Sequence, residues 1–324
     1  MRLVNLVENI SGSSGCPAEH GLCIYVETAK HRLLADTGAS GLFAENAKKK
    51  GIDLTKVDTV ILSHGHYDHG GGIPEFARIN PDAKIYMQDC AEGDYYSTID
   101  GLHYIGLPRE IRDLPQVVRI SGSFKIDEEL QLFADIPFEE EMPPSNRPLR
   151  KKQGDEYVQD DFRHEQYLVI REGNMHVLLS GCAHHGILNI MSHYRKMYGN
   201  DPDYVISGFH LMQKDGYSEE DIRSIGHTAC VLRSGKTVFY TGHCTGEKPF
   251  EVLKNVLGDR IHYFHCGDEI ELTAPEEKVP ERKAERDEAP SRKKKSKFMK
   301  WHRFFAGAAA VCFAMTMITG YRRK

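Results

Sequence analysis

An α/β fold, with sheets layered beneath helices, is predicted by three observations. Short β-rich runs recur along most of the chain, each four to eight residues long and bounded by Gly, Asp, Asn or Pro. The early runs follow one another directly, whereas the later ones alternate with stretches of helical periodicity. The 324 residues are 40% hydrophobic and 27% charged, the balance of a globular chain with a sizeable core. That length exceeds a usual single domain but suits one large α/β unit.

The elements follow in order. RLVNLVE, LCIYVET, HRLLAD, VDTVILS, AKIYM and QVVRI read as the early strands, and YLVI, MHVLLS, DYVIS, KTVFYTG and IHYF as the later ones. Residues 42–50 form a helix that Gly51 can close. Residues 187–198, 218–232 and 248–257 carry the 3.6-residue period. Residues 137–161 are rich in Pro, Lys, Glu and Asp without sustained period, and read as a long insertion loop of the kind used as a lid or binding loop.

Past residue 273 the composition changes. Residues 274–300 form a charged, proline-punctuated linker, APEEKVPERKAERDEAPSRKKKSK, with little to bury, and are expected to be disordered. Residues 301–324 are expected to be a single membrane-spanning anchor. Within them residues 304–321 carry no charge, and as a helix would extend about 27 Å, near the hydrocarbon thickness of a bilayer. Trp301 and Tyr321 flank the run with basic residues on either side, which would leave the body in the cytoplasm.

Charge narrows the function. Residues 291–324 hold ten Lys or Arg and no acid, so a net charge of −5 leaves −15 on residues 1–290. An acidic body is a poor partner for nucleic acid, which disfavours a nuclease. The eight cysteines are scattered with no CxxC pair, so neither a disulfide framework nor a zinc knuckle is indicated. The opening MRLVNLVENISG lacks the clean apolar run of a secretory signal, so the body is expected in the cytosol with its thiols reduced.

The densest chemistry lies in VILSHGHYDHGGG, where His64, His66, Asp68 and His69 fall within six residues between an apolar run and a glycine triplet. Burying several imidazoles together costs free energy unless each finds a partner, and a metal ion is the partner that satisfies all of them. One ion can take the first two histidines and a second Asp68 and His69; imidazole with carboxylate suits zinc, iron or manganese. Three later strand ends also deliver histidines: His184 and His185 after MHVLLS, His210 after DYVIS and His243 after KTVFYTG.

The HxHxDH motif, present here as HGHYDH, resembles the metallo-β-lactamase superfamily over roughly residues 1–270. That resemblance implies a four-layer αβ/βα sandwich holding one or two divalent ions, most commonly zinc, at one edge between its sheets. It implies His64, His66 and His184 as ligands of a first ion, and Asp68, His69 and His243 of a second. Asp36, in LLADTG, resembles the family's supporting aspartate, bracing the metal loop from behind. Where the family has a bridging acid this chain has His210, and a neutral imidazole offers only one lone pair. The two metal positions are therefore expected to be unequal.

EHGLCIYVET, SHGHYDHGGG, HEQYLVI, SGCAHHGILNI, GFHL and TGHCTG together resemble the dihydropterin-phosphate-synthase-like branch, which also holds members known only as metal-dependent hydrolases. This implies a small phosphorylated or pterin-like substrate. Hydrolysis would use a metal-activated water that Asp68 orients, and transfer would use metal-assisted departure of pyrophosphate. His164, Glu165, Arg147, Arg150, Lys151 and Lys152 are candidate substrate-binding residues. The rival readings are a hydrolase of lactones, thioesters or phosphodiesters, and a non-catalytic, membrane-anchored metal sensor.

Overall fold

A computed structural model describes residues 1–274. All eleven expected strands are present, and with Phe124–Lys125, Leu130–Ala134 and Glu269–Glu271 they build two seven-stranded sheets. The first runs in the order Glu269–Glu271, Arg2–Val7, Cys23–Glu27, Arg32–Ala35, Thr59–Ile61, Lys84–Gln88, Val117–Ile120. The second runs Ile261–Tyr263, Val238–Thr241, Tyr204–Ile206, Met175–Leu179, Gln166–Glu172, Leu130–Ala134, Phe124–Lys125. The helices are α1 (Leu42–Lys49), α2 (Tyr67–Gly70), α3 (Ile73–Ile79), α4 (Ile187–Tyr198), α5 (Glu219–Leu232) and α6 (Glu247–Leu257).

Side-chain alternation explains the layering. In Cys23–Glu27, Cys23 and Tyr25 point to a core shared with Phe43 and Ala47 of α1 and Phe76 of α3. Ile24 and Val26 point the other way, to a core where they meet Leu132, Leu168, Val177 and Leu179 of the second sheet. A third core joins Val169, Leu178 and Val205 to Ile190 of α4, Ile225 of α5 and Leu253 of α6. Both sheets are thus apolar on both faces, and helix, sheet, sheet and helix stack as four layers. Two helix ends have clear local causes. Ser218 and Asp221 close a reciprocal capping box at the start of α5, and Gly199 (φ 78°) ends α4 in the left-handed conformation.

Residues 137–161 do not form the expected structureless loop. After a 3₁₀ turn at Pro144–Asn146 they fold into a hairpin, Leu149–Gln153 with Glu156–Gln159, which joins Tyr95–Ser97 and His103–Tyr104 in a four-stranded sheet. Most of the hairpin is solvated, so charged residues sit on both faces and the two-residue alternation that marks a strand is lost.

The expected membrane anchor, and the membrane placement drawn from it, are not supported. No helix among the described residues is long and apolar enough to cross a bilayer. The longest, α5, has 14 residues, about 21 Å, and hides one face against the core. The run assigned to the anchor, residues 301–324, and the linker from 275 onward lie outside the described residues.

A histidine is among the polar ties that link the sheets. His31 Nδ1–H donates to Asp58 Oδ1 (2.9 Å), and its Nε2–H to Asp127 Oδ2 (2.7 Å) in the turn before Leu130–Ala134. Partial burial opposes the charged ring, but the two carboxylates outweigh it and the His31 pKa is raised. A raised folded pKa gives stability that is complete below the unfolded value of about 6.5 and is lost as pH rises through the folded value. Metal-free protein should therefore lose stability above neutral pH, and His31→Asn should flatten that slope in denaturant titrations at stepped pH. Parallel slopes in the two proteins would contradict this tie.

Candidate metal centre

The site lies at the C-terminal ends of parallel strands from both halves. Arg32–Ala35 and Thr59–Ile61 run parallel in the first sheet, and Met175–Leu179, Tyr204–Ile206 and Val238–Thr241 in the second. Asp36 follows the first of these, the HGHYDH turn and α2 the second, and His184, His210 and His243 the other three. Side chains collect where parallel strands end together, the usual place for a site in such sheets. Leaving a strand end sideways requires unusual backbone. Asp36 (φ 62°), Ala183 (φ 55°), His210 (φ 47°) and His243 (φ 49°) all adopt positive φ, a conformation that costs free energy and persists only under tight constraint.

The hydrogen bonds decide which imidazole nitrogen is available. Asp36 Oδ1 accepts from Ser63 N–H (2.7 Å), and its Oδ2 from Ser63 Oγ–H (2.7 Å) and His69 Nδ1–H (2.6 Å). With its proton given to Asp36, Ser63 Oγ accepts from His64 Nδ1–H (2.8 Å). His184 Nδ1–H donates to Asn146 Oδ1 (2.8 Å), and His243 Nδ1–H to Asn9 Oδ1 (2.9 Å). Four histidines therefore hold a proton on Nδ1 and turn Nε2 inward.

Those inward nitrogens face one another. His64 Nε2 is 3.3 Å from His184 Nε2, and His69 Nε2 is 3.1 Å from His243 Nε2. Asp68 Oδ2 lies 3.3 Å from His243 Nε2 and 3.7 Å from His69 Nε2. His66 Nε2 and both ring nitrogens of His210 are buried with no partner in the protein. Lone pairs converging this closely require a cation among them, so the donor set fits divalent ions.

Electrostatics agrees. Burial, then neighbouring imidazoles, push His64 and His184 well down, and burial pushes His66 down to about 3, so all three are neutral bases at pH 7. Burial also opposes charge on His69, but Asp36 and Asp68 outweigh it and lift the pKa to about 9. For Asp68, burial is outweighed by His69, His243 and His20, which hold its carboxyl far below the usual range. Asp68 also lies 3.3 Å from half-exposed His20 Nε2, at the open edge of the cluster.

Of the six residues expected to bind substrate, His164 packs against His66, with ring centroids 5.4 Å apart, and the others surround the cluster or lie outside it. His164 is buried with both nitrogens engaged, accepting from Gly65 N–H (3.0 Å) and donating to Asp160 Oδ2 (3.1 Å). Glu165 is fully buried behind the site, accepting from the backbone N–H of His184 (2.6 Å) and His185 (3.0 Å). Arg147 pairs with Glu220, Lys151 with Asp161 (2.6 Å), and Arg150 donates to the carbonyls of Arg147 and Leu149. Lys152 is exposed on the hairpin. Three of the four bases are thus spent on local partners.

Sequence reading passed over several contributors. Glu8 and Asn9 follow the first strand: Glu8 Oε1 accepts from His243 N–H (2.5 Å) and Asn9 orients its ring. Cys182 follows Met175–Leu179 and places Sγ 3.2 Å from His69 Nε2. Burial pushes this thiol well up. Applied beyond histidine, the strand-end rule would have found all three. A cavity of about 640 Å³ lies beside the His184 and His210 loops, lined by Pro143, Gly186, Leu211 and His227 and by none of the candidate ligands.

Residues 16–134 match the family model described as the metallo-beta-lactamase superfamily. An uncharacterized protein of Methanocaldococcus jannaschii is 26% identical over 257 residues, covering 77% of this chain and 92% of its own. The 7,8-dihydropterin-6-methyl-4-(beta-D-ribofuranosyl)-aminobenzene-5'-phosphate synthase of the same organism is 25% identical over 294 residues, covering 84% of this chain and 97% of its own. A crystal structure of a metal-dependent hydrolase of the beta-lactamase superfamily superposes with a TM-score of 0.72 at 28% identity, covering 85% of this chain and all of that one.

Proposed function

We propose that this chain, which shares the fold of a metal-dependent hydrolase of the beta-lactamase superfamily, is a metal-dependent enzyme acting on a small phosphorylated or pterin-like substrate. The observation that carries the proposal is the convergence of His64, His69, His184 and His243, each with Nδ1 tied and Nε2 turned inward, around partnerless His66. His64, His66 and His184 would hold one divalent ion, and Asp68, His69 and His243 another. Such ions supply Lewis acidity to the reacting group. Asp68, buried but beside half-exposed His20, would orient an incoming nucleophile or leaving group. Asp36, Asn146 and Asn9 keep the rings aligned.

Two reactions share this arrangement. The likeness to the dihydropterin synthase supports transfer to an aryl amine with loss of pyrophosphate. The likeness to a metal-dependent hydrolase, and the place of Asp68 beside half-exposed His20, support hydrolysis. Incubating metal-loaded protein with a dihydropterin diphosphate separates them. Consumption much faster with an aryl amine present, with pyrophosphate appearing in step with coupled product, is the expected result. Equal consumption without amine identifies hydrolysis, and none under either condition removes this substrate class.

A further inference from the structure

We propose that Cys182 is a metal ligand, its thiolate lying between the two metal positions and serving as the anionic bridge that His210 cannot supply. The inference rests on the metal-centre reading above and concerns which atom joins its two halves. Cys182 is 3% exposed. Its Sγ falls within 4.8 Å of the ligating atoms of His64 and His69, of His184 and His210, and, with Cys244, of His243. It therefore lies near both proposed ligand sets, His64 and His184 on one side and His69 and His243 on the other, with its close contact at His69 Nε2 (3.2 Å). Asp68 approaches only the second set by comparison, through His69 and His243.

Charge explains why an atom there matters. Two divalent ions a few ångströms apart repel strongly unless negative charge lies between them, and the histidines contribute none. Asp36 spends its carboxylate on Ser63 and His69 from behind. Burial keeps the Cys182 thiol neutral, but a bound divalent ion would displace its proton, and the thiolate would then put one negative charge where the repulsion is greatest; sulfur is a ligand that zinc and cobalt accept readily. The loop is shaped for this. Positive φ at Ala183 (55°) lets Cys182 and His184 enter from the same turn. A Cβ on Gly181 would collide with Ser63 Oγ, so glycine there allows the loop to close on the Asp36–Ser63–His64 chain. Independently, His66, 5% exposed, aims a partnerless Nε2 into the same cluster, which the proton of a thiol alone leaves unsatisfied.

With this bridge the two positions need not be as unequal as a neutral His210 implies, since the second ion can be held without an anionic substrate. The test uses the full chain stripped by chelator and titrated with cobalt(II), following near-ultraviolet thiolate-to-cobalt charge transfer and ions bound per chain. The native protein and Cys244→Ser should both show the band. Cys182→Ser should lose it and bind the second ion at least tenfold more weakly, while Cys182→Asp should recover the second ion without the band. Cobalt binding to the native chain with no thiolate band, or a band that survives Cys182→Ser, overturns the bridge. A folded native chain that binds no cobalt instead overturns the metal-centre reading itself. Should Cys182→Ser not fold, the native and Cys182→Asp spectra decide the matter.

Discussion

Replacing Glu165 by alanine should lower the unfolding free energy by about 3–5 kcal/mol, the cost of leaving a buried charged network without one of its members. Glu165 is fully buried and gathers four donors: the backbone N–H groups of His184 and His185, His185 Nδ1–H (2.9 Å) and the Tyr167 hydroxyl (2.7 Å). Alanine orphans all four in a dry interior. Burial works against this carboxylate, but His185 and the hydrogen bonds outweigh it and its pKa is lowered. A lowered folded pKa gives stability that is present above the unfolded value of about 4.3 and lost as pH falls through the folded value. Urea unfolding of metal-free protein at neutral pH should thus show the full deficit, shrinking in acid. Glu165→Gln keeps an acceptor and should cost less. A loss under about 1 kcal/mol for the alanine variant would contradict the network.

His66→Ala should do the opposite: abolish activity, by about a thousandfold or more, and leave the metal-free fold nearly as stable as before. His66 Nε2 has no protein partner, so its removal strands no donor or acceptor. The ring packs against His64, His184 and Tyr95, and losing those contacts is partly offset by removing a buried polar atom that nothing satisfies. In the metal-loaded protein, the stabilisation that comes from ion binding should fall with affinity. Parallel melts of stripped and loaded protein, native and variant, read both effects. A stripped variant that melts far below the stripped native chain would place His66 among the structural residues instead.

The different costs at Glu165 and His66 show what sequence conveys. HGHYDH was legible because four ligating residues in six positions have no packing rationale, and the strand-end histidines because a strand followed by an imidazole repeats three times. Helix α4 was legible to the residue, since its apolar period runs unbroken into Gly199. Glu165 was misread because one line of sequence cannot say whether a carboxylate beside a strand faces substrate or faces backwards. Cys182 was passed over because cysteine is an ordinary core residue, and only the fold brings its sulfur among the histidines. Leu130–Ala134 was missed although all but Gln131 is buried, its short apolar run being flanked by acids. The hairpin in 149–159 was missed for the opposite reason, being too solvated to show a period.

The edge of the first sheet has its own consequence for how this protein is made. Arg2–Val7 pairs on one side with Cys23–Glu27 and on the other with Glu269–Glu271, and the amino group of Met1 donates to Leu272 O (3.0 Å). Arg2–Val7 therefore keeps an open flank until Glu269–Glu271 has been synthesised. At about 5–20 residues per second, that is a wait of roughly 13–50 seconds with an apolar strand exposed to other chains. Closing the gap joins residues about 270 positions apart, a contact whose loop entropy is paid late and all at once. Nascent chains arrested before residue 269 should be the aggregation-prone form of this protein, and a circular permutant that places residues 269–271 ahead of residue 2 should escape that interval.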